Sequence, residues 1–273
     1  MRKKSKILNI IIAVIFVTGL VILLYPSVSN YINSKNASKV IDSYRETVDN
    51  SDPAGLEKAF EEAQAYNKEL AGKPEAFFKP EIINGYNNTL DVTGTGIMGY
   101  VEIDKIDVEL PIYHGVEKEV LQVGAGHLPG TSLPVGGDST HAVLSGHRGL
   151  PSSKLFSDLD KMEVGDTFCI IIHDKVLTYQ VDQIKIVLPT ETDDLRIVKG
   201  KDYCTLLTCT PYGVNSHRLL VRGKRVDTPE AIDIRVINEA VKVDPVIVAS
   251  VILVPLLVIA YLIMFMFDKK RRE

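Results

Sequence analysis

Between Gly96 and Val226 the chain offers seven short β-favouring runs separated by turns. They are Ile97 to Ile103, Val108 to Tyr113, Thr140 to His147, Thr167 to His173, Val176 to Val187, Tyr203 to Cys209 and His217 to Val226. No repeat and no strand–helix alternation runs through them, which argues against a parallel α/β sheet. Short strands in such number bury their apolar faces by curling onto themselves. The expectation is therefore a mainly β domain built on a closed or nearly closed barrel. Val116 to Leu121 and Leu155 to Met162 each suit a short helix.

One junction among these runs carries chemistry. Tyr203 to Cys209 is stopped by Pro211 and Gly213, and the next run opens with His217 and Arg218. By alternation Tyr203, Thr205, Leu207 and Cys209 share one face, while Cys204, Leu206 and Thr208 share the other. The Cys209 thiol then sits at a strand end beside a loop, where reactive groups are usually presented. An antiparallel return would bring Arg218 close, and a neighbouring cation favours the thiolate. A single strand-end cysteine is more often a small buried apolar residue. The second strand end, Thr140-His-Ala-Val-Leu-Ser-Gly-His-Arg-Gly-Leu-Pro151, shifts the balance, because a thiol nucleophile needs a histidine distant in sequence. Spacing does not choose among His114, His127, His141, His147, His173 and His217. His141 and His147 share a strand face, and His217 and Arg218 point to opposite faces of a strand of unknown register. No histidine pair has metal-ligand spacing on one helix, so neither a metal nor a cofactor is expected.

Thr205-Leu-Leu-Thr-Cys209 with Arg218, and Ser145-Gly-His147, resemble the signature of the sortases, membrane-anchored cysteine transpeptidases of Gram-positive bacteria. Gly96-Ile-Met-Gly-Tyr100, Leu110-Pro-Ile-Tyr-His114, Gly126-His-Leu-Pro-Gly-Thr-Ser132, His147-Arg-Gly-Leu-Pro151 and His217-Arg-Leu-Leu-Val-Arg-Gly223 support it, in the same order along the chain. The wording is nearest to the pilus-assembling class, class C. The resemblance implies the sortase β-barrel, with Cys209, His147 and Arg218 as the catalytic residues. It also implies cleavage of an LPXTG-like sorting signal at Thr-Gly through a Cys209 thioester. The acyl group would pass to an amine, for the pilus class a lysine of the next pilin. A cell-wall-anchoring sortase using a peptidoglycan amine is the neighbouring alternative, and a non-catalytic module that binds sorting signals is the remote one. Pilus-class members commonly carry a lid with an Asp-Pro-aromatic motif. Here Asp52-Pro53 comes too early and is followed by Ala54; Phe77 and Phe78 are the aromatic residues available to fill the groove.

Apolar sequence crowds the two ends. Residues 1–6 are basic, and 7–25 are almost wholly apolar with no convincing cleavage site after them, which predicts an uncleaved membrane anchor. Residues 245–267 span roughly 34 Å as a helix, enough to cross a bilayer, and the basic tail 268–273 follows. Basic flanks on both sides predict a two-pass cell-membrane protein with both ends cytoplasmic and the catalytic domain extracellular. Inside, 30–72 reads as a helical segment. A helix near Ala37 to Val48 is followed by one capped by Asp52-Pro53, with an apolar stripe at Leu56, Ala59, Phe60, Ala63, Tyr66 and Leu70 that stops at Gly72 and Pro74. Residues 73–95 read as a loop and possible lid, 96–228 as the catalytic barrel and 229–244 as a linker. Three cysteines exclude a disulfide framework, and Cys169 and Cys204 are expected as free buried thiols. With a net charge of -4 over 273 residues, no nucleic-acid partner is expected.

Overall fold

A computed structural model of the chain describes residues 2–228. The linker 229–244, the second apolar span 245–267 and the basic tail lie outside the described residues. The described chain divides into a helical portion up to Ile32 and a compact body from Asn33 onward.

The first element, α1, runs from Arg2 to Asp49 as one 48-residue helix. This corrects the expectation of an apolar span followed by a separate helix over 37–48. The only helix breaker in the region is Pro26, and 27–36 contains no glycine, so nothing terminates the helix between the two parts. From Val14 onward α1 contains an 18-residue window of mean hydropathy 1.7. Its apolar side chains, Ile15 and Leu23 among them, are exposed. After Asp49 comes α2, Pro53–Ala71, with Asp52 as the expected cap accepting from the Ala54 N–H at 3.3 Å and Gly72 at its end. Its apolar stripe is buried at Phe60, Ala63, Tyr66 and Leu70.

The body is a closed barrel of eight strands: β1 (Ile97–Ile103), β2 (Val108–His114), β3 (Ala125–His127), β4 (Thr140–Ser145), β5 (Thr167–Ile172), β6 (Lys175–Val187), β7 (Asp202–Thr210) and β8 (His217–Val226). Around the barrel the order is β1-β2-β3-β4-β7-β8-β6-β5. The pairs β2–β3 and β4–β7 are parallel and the rest antiparallel. All seven expected runs are strands. The three-residue β3 was not anticipated, because Ala-Gly-His carries little β signal and is held by neighbours on both sides. Val116 to Leu121 yields the single turn α3 (Lys118–Leu121). The helix expected over Leu155 to Met162 shrinks to a 3-10 turn at Leu159–Lys161, since Leu155 takes a positive φ of 40°.

Inward positions such as Met98, Val101, Ile112, Leu144, Phe168, Leu206 and Val221 fill the barrel, and α2 adds its stripe to the same core. Buried Asn67 fixes α2 to the barrel, its side-chain amide exchanging two hydrogen bonds with the Leu133 backbone at 3.0 and 2.7 Å. The C-terminal part of α1 covers the outside of β1 and β5, where Ile41, Tyr44 and Val48 meet Ile97, Tyr100 and Ile171. Arg45 fixes that contact, pairing with Glu109 at 2.8 Å and lying 4.6 Å from the Tyr100 ring. Residues 73–95 are not a loose loop. They form three 3-10 turns, Pro74–Phe77, Pro80–Ile82 and Tyr86–Asn88, that bury Ala76, Ile83 and Leu90.

Candidate active site

The parallel pairing of β4 with β7 decides where the reactive groups meet. The strands pair from Thr140↔Asp202 to Ser145↔Leu207, so both C-terminal ends reach the same rim of the barrel. Gly146 N–H then donates to Leu207 O at 3.0 Å, and Thr208 Oγ1 donates to Gly146 O at 2.7 Å. Continued by two residues, that register brings His147 level with Cys209. The strand itself stops at Ser145, so His147 lies just beyond it rather than within it as expected. Gly146 allows the close approach at this point, because a Cβ there would fall 2.6 Å from the Phe156 ring.

On the other side of β7, antiparallel β8 pairs Cys209 with Arg218 and Thr210 with His217. Arg218 is therefore the residue on the Cys209 face. Its Nη1 donates to the carbonyls of Asn215 and His217 at 3.2 and 3.1 Å, and among the described residues it forms no ion pair with a carboxylate. Among the described residues the charge of Arg218 is thus not neutralised by a carboxylate. Cys209 is a half-buried free thiol. Cys204 sits on the opposite face, fully buried, and burial pushes its thiol pKa well up, which keeps it protonated. Cys169 is likewise free and buried, 3.6 Å from Thr178 Oγ1.

Of the other histidines, four are hydrogen-bonded to other groups, and His173 is buried with neither ring nitrogen partnered among the described residues. Both ring nitrogens of His114 face carbonyls, Gly96 O at 3.0 Å and Thr89 O at 2.9 Å. His127 is held by the Tyr86 hydroxyl at 2.9 Å and Ser132 O at 2.8 Å. His141 donates from Nδ1 to Arg196 O at 2.9 Å and accepts at Nε2 from Thr205 Oγ1 at 2.7 Å. Burial lowers the pKa of both His127 and His141 to about 4, so both are neutral imidazoles at physiological pH. His173 is buried at the start of β6, the end remote from Val187, which pairs with Arg218. His217 bonds Ser216 Oγ at 2.9 Å. His147 is half-buried, which lowers its pKa, and among the described residues its ring has no hydrogen-bond partner. A neutral imidazole level with a thiol can accept its proton and later return it.

An apolar strip leads along the barrel wall to this rim. Val143, Leu207 and Leu220 form it with Leu195 and Val187, and Phe77 packs on top. Phe77 and Phe78 lie against one guanidinium, Arg196 Cζ being 4.0 and 4.3 Å from their ring centres. Beside them a cavity of about 690 Å³ opens between residues 70–77 and 193–199; its lining does not include Cys209, His147 or Arg218. Arg196 and Arg148 both escaped the reading of the sequence. Arg148 follows His147 directly, and that adjacency was the available signal; Arg196 belongs to no motif.

The sortase-domain family model matches residues 101–226. A sortase D from Bacillus subtilis is 31% identical over 193 residues, covering 69% of this chain and 88% of that protein. Among solved structures, sortase C1 from Streptococcus agalactiae is 50% identical with a TM-score of 0.64, covering 70% of this chain and all of that one. A sortase C from Streptococcus pneumoniae, described in connection with pilin substrate specificity, is 51% identical with a TM-score of 0.64, covering 70% of this chain and 97% of that one. On the barrel, the cysteine-bearing rim and these similarities, the chain belongs to the sortase family of cysteine transpeptidases.

Proposed function

We propose that this sortase is a membrane-anchored, pilus-class transpeptidase with Cys209 as nucleophile, His147 as proton carrier and Arg218 as ligand of the oxyanion. The observation that carries the reading is the register of three adjacent chain segments. Cys209 faces Arg218 across β7–β8, and the continued β4–β7 pairing brings His147 to the same level. Cys209 Sγ adds to the threonine carbonyl carbon of an LPXTG-like signal as its proton passes to His147. The carbonyl oxygen takes up the negative charge, which the Arg218 guanidinium stabilises. Collapse breaks the Thr–Gly bond, and the glycine amine leaves with the proton from His147, giving the thioester. An incoming amine then gives a proton to His147 and adds to the thioester carbon. Expulsion of the Cys209 thiolate, reprotonated from His147, completes the new amide bond.

Two sortase C structures at about half identity, one described in connection with pilin substrate specificity, support a pilin as the second substrate, and the resemblance to the pilus class makes a lysine its amine. The hydropathy of α1 and the apolar stretch 245–267 in the sequence support attachment to a membrane, and the basic residues flanking both ends support a barrel on the outer side. The test offers the purified enzyme an LPXTG-type peptide together with a pilin lysine peptide and a peptidoglycan-type amine. An isopeptide to the lysine is expected. Transfer to the peptidoglycan amine alone would replace the pilus assignment with wall anchoring. Peptide binding without transfer to either would make the barrel a binding module.

A further inference from the structure

We infer that Arg148 is a positioning residue for the transpeptidation step: its guanidinium clamps the His147 segment to the Cys209 end of β7. The inference rests on the roles of Cys209 and His147 proposed above. Arg148 follows His147 and Thr210 follows Cys209, so a bond between the two joins the two reactive positions from behind. Arg148 Nη1 donates to Thr210 Oγ1 at 3.0 Å, and its other arm, Nη2, pairs with Asp160 Oδ2. The side chain is only 10% exposed and Thr210 is buried.

Up to Gly146 this segment is tied to β7, by the backbone ladder and by Thr208 Oγ1 donating to Gly146 O at 2.7 Å; past Gly146 the other restraints point elsewhere. The backbone ladder between β4 and β7 ends at Gly146. Beyond it, Phe156 N–H donates to His147 O at 3.1 Å and Gly149 N–H donates to Ser157 Oγ at 3.1 Å. Both tie the His147 segment to residues 156–157 and neither ties it to β7. The Arg148–Thr210 bond spans the gap that opens after Gly146. A planar guanidinium held at one arm by a carboxylate fixes the direction of the other, which a flexible ammonium does not. Among the described residues Arg148 Nε is buried without a partner, so the side chain is not placed to complete its own hydrogen bonding. Loss of the clamp frees His147 to shift by a fraction of an ångström to an ångström relative to the thiol. Misplacement on that scale costs rate rather than substrate binding.

The experiment measures single-turnover acylation of the full chain in detergent micelles by an LPXTG-type peptide, alongside thermal melting. The variants are Arg148→Met, Arg148→Lys, Thr210→Val and the Arg148→Met/Thr210→Val pair, with Cys209→Ala as control. Arg148→Met is expected to lower the maximal acylation rate about 100-fold, with the half-saturating peptide concentration within about 2-fold of the parent. Arg148→Lys should regain part of that rate. Thr210→Val should fall in the same direction, and the pair should be no slower than Arg148→Met alone, because both break one contact. A parental acylation rate in Arg148→Met, a loss confined to peptide binding, or additive effects in the pair would overturn the inference. Should Arg148→Met fail to fold, Thr210→Val decides the matter from the uncharged side of the same bond. Acylation surviving in Cys209→Ala would refute the nucleophile itself, a result separate from any outcome at Arg148.

Discussion

At the scale of single residues, chemistry at this rim follows from which face each side chain takes. Cys204 and Cys209 are five positions apart on one strand and differ in everything that matters to reactivity. One is sealed in the barrel with its pKa raised, and the other is half-exposed opposite an arginine that has no carboxylate partner among the described residues. Cys204→Ala is therefore expected to retain transpeptidation and lose about 1 kcal/mol of stability, measured by denaturant unfolding beside peptide turnover. Arg218→Lys keeps the charge but loses the planar fork. A loss in acylation rate of about 10²-fold is expected, comparable to removing one oxyanion donor. A parental rate in that variant would reduce Arg218 to a structural role. Cys209 and His147 were legible in the sequence as strand-end residues before Gly/Pro turns. The choice of Arg218 over His217 was not legible from pattern alone, since alternation fixes faces only relative to a register that long-range pairing sets.

At the scale of elements, the strands were legible because each run carries its own β signal, and the barrel followed from the absence of a regular strand–helix alternation along them. The boundaries of β4 and the helix expected at 155–162 were misjudged where tertiary contact overrides local pattern: Phe156 N–H bonds His147 O and Leu155 takes a positive φ. The packing of 73–95 was illegible for the same reason. Its buried residues, Ala76, Ile83 and Leu90, have no period, and its aromatic pair is held by a guanidinium more than a hundred positions away. Phe77 covers the strip that leads to Cys209, so closure of that strip depends on Arg196. Removing the side chain leaves the His141–Arg196 carbonyl bond intact and deletes two cation–π contacts, each worth about 0.5–1 kcal/mol at a part-exposed site. Arg196→Ala is expected to speed alkylation of Cys209 by a bulky maleimide several-fold, with melting within a few degrees of the parent. Unchanged alkylation would mean that the aromatic pair does not limit access.

At the scale of the whole molecule, two buried neutral histidines set how the body responds to acid. His127 and His141 have pKa values of about 4 in the folded state against an ordinary 6.5. The unfolded chain therefore binds their protons first. Their contribution is complete above about pH 6.5 and is lost as pH falls from there toward 4, on the order of 3 kcal/mol for each. His147 and His173, also lowered by burial, act in the same sense. Denaturant midpoints recorded at pH 7, 5.5 and 4 should fall steadily through this window; a flat profile would show that the two imidazoles are not buried uncharged. The fold, the site and the family converge on one covalent event, and it can be observed directly. The enzyme is mixed with an LPXTG-type peptide, quenched in acid before the amine is added, and digested for mass spectrometry. The acyl fragment ending in threonine should appear on the peptide containing Cys209 and vanish in Cys209→Ala. An adduct on any other residue, or turnover that persists without Cys209, would contradict the account.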